Sequence, residues 1–303
     1  MTSATLKQPR RSVIARVLNV ARRYWRDEQN ARRVYRRRVM YLLESTLFPP
    51  RLWEKYYVRP RQKEMWRETG DLRAFERKVY SQNGEDGILE EILRRINVRR
   101  GFFVEFGVES GIECNCARLA FEEHWAGLFI EGDANEFAKL SQRYAGRDGV
   151  QCVSAWVTSD NIEEIFDAAR VPPDFDVLSI DIDGNDYWVW RAIERWKPRI
   201  VVIEYNGAFP PHKRWVMKEN RAHQWQRDSY YGASLASLAA LGRDKGYVLV
   251  GTNTHGVNAF FVRQDLFSYD RFLDPALLYH YSPFGFGWRF SGHPEGTGPA
   301  EDI

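Results

Sequence analysis

The chain has 303 residues, 44% of them hydrophobic and 15% aromatic, which is enough apolar material for a full core and too much for a chain disordered throughout. Its 44 basic and 41 acidic side chains leave a net charge of +3, but the two are unevenly spread: residues 1–67 hold 18 Lys and Arg against 5 Asp and Glu, and the rest hold 26 against 36. No apolar run approaches the ~20 residues that cross a bilayer. The three cysteines, Cys114, Cys116 and Cys152, lack Cys-x-x-Cys spacing, so they exclude a disulfide framework and a zinc or thioredoxin-like motif and point to a reducing, cytoplasmic compartment.

Residues 1–77 read as a basic helical extension. The apolar pairs Val13–Ile14, Val17–Leu18, Val20–Ala21 and Tyr24–Trp25 recur at helical spacing with arginines between them, which predicts an amphipathic basic helix over much of residues 12–43, ended by Pro49 and Pro50. Such a helix can lie on the anionic inner face of a membrane as a peripheral anchor. It can equally dock its apolar side on the main domain, a second subunit or a partner protein. No motif for specific nucleic-acid binding accompanies the arginines.

Residues 78–281 change to short β-type runs alternating with helical segments, an α/β layout. Strands are expected at 102–106, 127–131, 151–154, 177–181, 200–204, 247–251 and 258–262, with helices between the first five and another over 233–245. The connection 252–257 is too short for a crossover helix, so the last two strands should pair antiparallel. Residues 282–303, rich in Gly and Pro, read as a flexible tail.

Chemistry concentrates where strands end. Phe102-Phe-Val-Glu105-Phe-Gly107-Val-Glu-Ser-Gly111 is a strand closed by an acid and two glycines four apart. A pyrophosphate site would show Gly-x-Gly-x-x-Gly and no acids. Here Glu105 and Glu109 would repel an anion and favour S-adenosylmethionine, which carries a sulfonium and an ammonium and no phosphate. Glu131, ending the next strand, stands where a ribose diol would be held. Ile180-Asp181-Ile-Asp183-Gly-Asn185-Asp186 crowds three carboxylates that need a shared cation, proton or donor. Asp181 or Asp183 could serve as general base, or with Glu204 could hold a divalent metal, and Asn206 follows on the same strand end. The acids leave room for magnesium without requiring it. The insert 206–231 supplies aromatic and cationic candidates for the acceptor side, His212 and Tyr231 among them, and reads equally as a packed lid. His255, in the last turn, is a further candidate base, with an ordinary polar loop residue as the plainer reading.

These motifs, together with Tyr80-Ser-Gln-Asn-Gly-Glu-Asp-Gly87 and Asn258-Ala-Phe-Phe-Val262, resemble the FkbM-like branch of the class I S-adenosylmethionine-dependent methyltransferases over about residues 78–265. The resemblance implies a Rossmann-like seven-stranded sheet with an antiparallel last strand. It implies that Glu105, Gly107 and Gly111 cradle the methionine part of the cofactor and that Glu131 holds the ribose. Ser154 and Trp156 would approach the adenine, and Asp181 and Asp183 would face the methyl group. The chain departs from the family in having Glu-Phe-Gly at the first loop and Asp-x-Asp-Gly at the fourth strand. The function implied is O-methylation of a hydroxyl on a small molecule, sugar or glycan intermediate. Two rivals stand beside it: a metal-dependent glycosyltransferase built on Asp181-x-Asp183, and a membrane-associated scaffold with a degenerate pocket.

Overall fold

A computed structural model describes residues 70–266, 275–280, 294 and 296–303. The expected basic helix over 12–43 lies outside these residues. Among the described residues no helix is long and apolar enough to cross a membrane.

The compact α/β unit begins at Leu72, ahead of the expected boundary at 78, because Leu72 and Arg73 of a short 3-10 turn are buried in it. Its first helix, α1 (Glu85–Arg95), is amphipathic: Ile88, Leu89, Ile92 and Leu93 are buried at helical spacing while Glu90 and Arg94 face outward. Then β1 (Phe102–Phe106), α2 (Ala117–Phe121), β2 (Ala126–Glu131), α3 (Ala134–Tyr144), β3 (Val150–Ser154), α4 (Ile162–Ala168), β4 (Val177–Ile180), α5 (Asp186–Ala192) and β5 (Ile200–Glu204) follow in strict alternation. After the insert come α6 (Leu235–Asp244) and the hairpin of β7 (Tyr247–Thr252) and β8 (Asn258–Arg263); within the insert lies the two-residue strand β6 (Val216–Met217). The main strands match those expected from sequence to within a residue at each end. The one difference that matters is that β4 stops at Ile180 and leaves Asp181 in the loop.

The seven main strands form one sheet in the order β3-β2-β1-β4-β5-β8-β7. Pairing is parallel from β3 through β5, and β8 runs antiparallel to both β5 and β7. This is the mixed α/β sheet of the class I methyltransferase fold, antiparallel last strand included. Side chains alternate across it. Val104, Phe106, Leu178, Ile180, Val201 and Ile203 enter one core, and Phe103, Phe129, Val177 and Val202 enter the other. Each such apolar side chain contributes about 1.5–3 kcal/mol by leaving water. Helix ends are fixed locally: Asp133 accepts from the amides of Asn135 and Glu136 at the start of α3, and Ser234 accepts from Ser237 N at the start of α6.

The tail differs from its expectation over the described residues 296–303. The strand β9 (Ala300–Glu301) pairs antiparallel with β6. Pro299 O accepts from Lys218 N and from Tyr230 Oη, and Lys213 pairs with Asp302. The insert offers an open strand edge whose backbone groups need partners, and the end of the chain supplies them.

Candidate active site

The strand order reverses between β1 and β4, because the chain runs outward through β2 and β3 and returns on the other side of β1. Loops leaving the carboxyl ends of strands diverge at such a point and open a crevice. Here it is a cleft of about 640 Å³, walled by the loops after β1 to β4, the ends of β5 and β8 and part of the insert.

On the β1–β2 side the acids are fully engaged. Glu105, 4% exposed, accepts through Oε1 from Asn115 N and Ser179 Oγ and through Oε2 from Cys116 N. It thereby caps α2, whose own N-terminal residue Cys116 makes no side-chain cap. Burial raises the Glu105 carboxyl pKa and these donors pull it back. Glu131 accepts from Glu109 N and Asp133 N and so fixes the loops after β1 and β2 against each other, while still lining the cleft. Gly107 (φ 76°) is required by a close approach: a Cβ there would stand 1.5 Å from Asp181 O. Gly111, expected beside Gly107 in the cradle, lies outside the cleft wall, and its absent Cβ makes room for Leu140 and Tyr144 of α3.

The Tyr80–Gly87 motif does two jobs. Asp86 Oδ2 collects Val79 N, Tyr80 N, Ser81 N and Ser81 Oγ and locks the turn before α1. Gln82, Asn83 and Glu85 line the cleft, and Glu85 Oε1 accepts from Asn253 Nδ2 and Asn258 Nδ2.

The β4–β5 side is built differently. Asp181, Asp183 and Glu204 bring one oxygen each to within 4.8 Å of one another. Glu204 Oε2 is shut off from solvent without a hydrogen-bond partner. Burial, then the neighbouring carboxylates, raises the pKa of Asp181 and Glu204, and Asp183 is pushed up to about 6 by burial, Asp186 and Glu109. Asp183 holds a left-handed backbone (φ 54°), while Asp186 accepts from Ile182 N and Gly184 N and ties the loop to α5. The three acids singled out from sequence as base or metal ligands are therefore brought together.

A further wall comes from the insert, docked by reciprocal amide contacts: Asn185 Nδ2 donates to Asn220 O and Asn220 N donates to Asn185 Oδ1. Its His223, Trp225 and Tyr231 line the cleft. His223 Nε2 is buried without a partner, and the ring occupies the space a Cβ on Gly184 would take. Trp156, half exposed, anchors its Nε1 on Arg221 O at the opposite lip.

Four other expected site residues lie elsewhere. His255 sits exposed at the tip of the β7–β8 turn, outside the cleft wall, because Asn253 folds that turn by accepting from Val257 N and Asn258 N. His212 is exposed beyond the insert's packed part. Asn206 is fully buried, donating to Ser229 O and Tyr231 O, and so holds the insert's two ends together. Ser154 is exposed and outside the wall, where Ala155 and Val157 stand in its place. Of the cleft residues, Asn115 carried no mark in the sequence, whereas His223 stood among the candidates of the insert and Asn258 in the last hairpin, at the lip of the cleft. Asn258 was visible as the first residue of a predicted strand, but nothing local marked His223 above the other histidines.

No protein-family model matches the chain, and no curated relative matches it. Among solved structures, the chain is similar to a putative caffeoyl-CoA O-methyltransferase from Staphylococcus aureus, at 14% identity over 70% of this chain and 99% of that one, with a TM-score of 0.40. It is similar to the N-terminal domain of EvdMO1 in the presence of SAH and D-fucose, at 12% identity over 66% and 94%, with a TM-score of 0.38. A SAM-dependent methyltransferase from Aquifex aeolicus aligns at 13% identity over 57% and 86%, with a TM-score of 0.34.

Proposed function

We propose that the protein is an S-adenosylmethionine-dependent methyltransferase acting on a hydroxyl of a small molecule, sugar or glycan intermediate. One observation carries the reading. Among the described residues the cleft at the switch point is lined by eight carboxylates, Glu85, Glu105, Glu109, Glu113, Glu131, Asp181, Asp183 and Glu204, and by no lysine or arginine. That donor set fits a ligand carrying a sulfonium, an ammonium and a ribose diol, and it repels a dinucleotide pyrophosphate.

S-adenosylmethionine supplies a methyl group on a cationic sulfur for transfer to an oxygen. In this reading Glu131, with lone pairs left after its two backbone contacts, accepts from the ribose hydroxyls. The Trp156 ring offers a face to the base. Asp183 or Asp181 takes the acceptor's proton, and the elevated pKa of Asp183 suits a base working near neutrality. His223, Trp225 and Tyr231 give the acceptor a stacking and hydrogen-bonding wall of the kind that sugar rings use. Residues 12–43 would bring the enzyme to an anionic membrane or a partner protein.

Calorimetric titration with S-adenosylmethionine, S-adenosylhomocysteine and a manganese nucleotide-sugar tests this. The first two should bind, with affinity reduced in Glu131→Gln by about 1–2 kcal/mol, the worth of a hydrogen bond to a charged group. Binding of the nucleotide-sugar alone, dependent on Asp181 and Asp183, would replace methyl transfer by glycosyl transfer. Binding of none of them would leave a scaffold.

A further inference from the structure

Several acids of the cleft and its floor already have donors. Glu105, Glu131, Glu85 and Asp86 each collect two or more backbone or side-chain donors. Asp181, Asp183 and Glu204 differ: their oxygens converge within 4.8 Å, and Glu204 Oε2 is buried with no partner. Among the described residues no lysine or arginine lines the cleft to balance them.

A second observation is independent of the carboxylates. Asn258, 4% exposed, gives its Nδ2 to Glu85, which fixes the amide's orientation, and its Oδ1 is left buried and unpartnered. Asn258 is the register partner of Glu204 across the antiparallel β5–β8 pair. Directly paired residues leave the same face of a sheet, with Cβ atoms about 4.5–5.5 Å apart. The neutral oxygen therefore emerges beside the unpartnered carboxylate oxygen, in the same cleft wall.

We propose that Asp181, Asp183, Glu204 and Asn258 hold one hard divalent cation, of the magnesium or manganese type, at the floor of the cleft. All four donors are oxygens, which suits Mg²⁺ or Mn²⁺ and disfavours the softer metals that choose thiolate and imidazole. Oxygens of one shell at about 2.1 Å from an ion lie about 3–4.2 Å apart, inside the observed limit of 4.8 Å. The chain fills four positions and leaves the rest to water or to an acceptor oxygen. The site stands on the geometry alone. Its use, to fix the acceptor hydroxyl and ease loss of its proton to solvent or a neighbouring carboxylate, rests on the methyl-transfer reading.

The test is titration of the full-length, chelator-stripped protein with Mn²⁺, followed by its electron paramagnetic resonance, with Mg²⁺ as competitor and S-adenosylhomocysteine binding measured on the same samples. One saturable Mn²⁺ per chain is expected, displaced by Mg²⁺ and weakened on the order of tenfold or more in Asp183→Asn, Glu204→Gln and Asn258→Ala. Glu131→Gln, on the far wall, should leave Mn²⁺ affinity unchanged while weakening S-adenosylhomocysteine. The proposal is overturned if protein that binds S-adenosylhomocysteine shows no saturable Mn²⁺ up to millimolar, or if binding survives the Asp183 and Glu204 substitutions. Saturable Mn²⁺ binding at these residues without S-adenosylhomocysteine binding would uphold the site and remove the methyl-transfer reading.

Discussion

The two sides of the cleft use the same kind of side chain to opposite ends. On the β1–β2 side, Glu105 and Glu131 spend their oxygens on the amides of Asn115, Cys116, Glu109 and Asp133, so the carboxylates act as mortar for the loops. On the β4–β5 side, Asp181, Asp183 and Glu204 face one another and the cavity with few donors, and their pKa values are raised. A buried acid with its donors in place stabilises a fold. One without them is held in an unfavourable state by its surroundings, and such groups are where a ligand, a proton or a cation has most to gain.

Exchange of function for stability should separate the two sides most sharply. In the proposed methyl-transfer reading, Asp183→Asn is expected to slow the reaction about 100-fold or more while leaving the denaturation midpoint unchanged or higher, since it removes one of several crowded like charges. Rate and chemical-denaturation measurements on one preparation decide it, and a large loss of stability would place Asp183 with the mortar. Glu105→Ala should do the reverse. It strands the amides of Asn115 and Cys116 and costs about 2–4 kcal/mol of folding stability, read from urea unfolding. A stable Glu105→Ala variant that lost only cofactor affinity would move Glu105 to the ligand-binding group.

A smaller effect is expected on the acceptor wall. Deleting residues 298–303 removes the Pro299 carbonyl that Lys218 N and Tyr230 Oη use and the strand that pairs with β6. The acceptor KM should rise on the order of tenfold, with S-adenosylhomocysteine affinity unchanged, because the insert carrying His223 and Tyr231 loosens while the β1–β2 side is untouched.

The smallest concerns Glu76, whose carboxylate accepts from Thr254 N and Oγ1 at the β7–β8 turn, and whose pKa burial lifts from 4.5 to about 7. Its folded-state pKa lies above the unfolded one. Its stabilising contribution is therefore complete below about 4.5 and is lost as pH rises through about 7. Thermal melts between pH 4.5 and 7 should show stability falling with pH in the wild type, levelling above about 7, and a flatter profile in Glu76→Gln. Equal slopes would show that Glu76 titrates as an ordinary surface acid.

Much of this was legible along the chain. Strand periods, the short turn between the last two strands and the acids at strand ends are local signals, and they placed the seven strands, the antiparallel β8 and the acids Glu105, Glu131, Asp181, Asp183 and Glu204 in one cleft. Gly107 was readable as a glycine of close approach, but the neighbour expected from the sequence was a ligand and the neighbour a Cβ would strike is Asp181 O. What the sequence could not rank were residues alike in type and distant in chain. Among His212, His223 and His255, only His223 reaches the cleft, and that is decided by the Asn185–Asn220 contacts that dock the insert on α5. Asn206 looked like a ligand and is a brace, while Asn258, readable in the last hairpin as a lip residue, leaves a buried oxygen without a partner.

By itself, then, the sequence determined the layered α/β sheet, its direction of pairing and the acidic character of its crevice, since periodicity, turn length and charge are properties of neighbouring residues. Only the tertiary structure decided which carboxylates are satisfied and which are bare, which histidine faces the cavity, and that residues 298–303 brace the insert. Hydrogen-bond donors for a buried group arrive from loops that are far away in the chain, and whether they arrive is settled only when those loops pack.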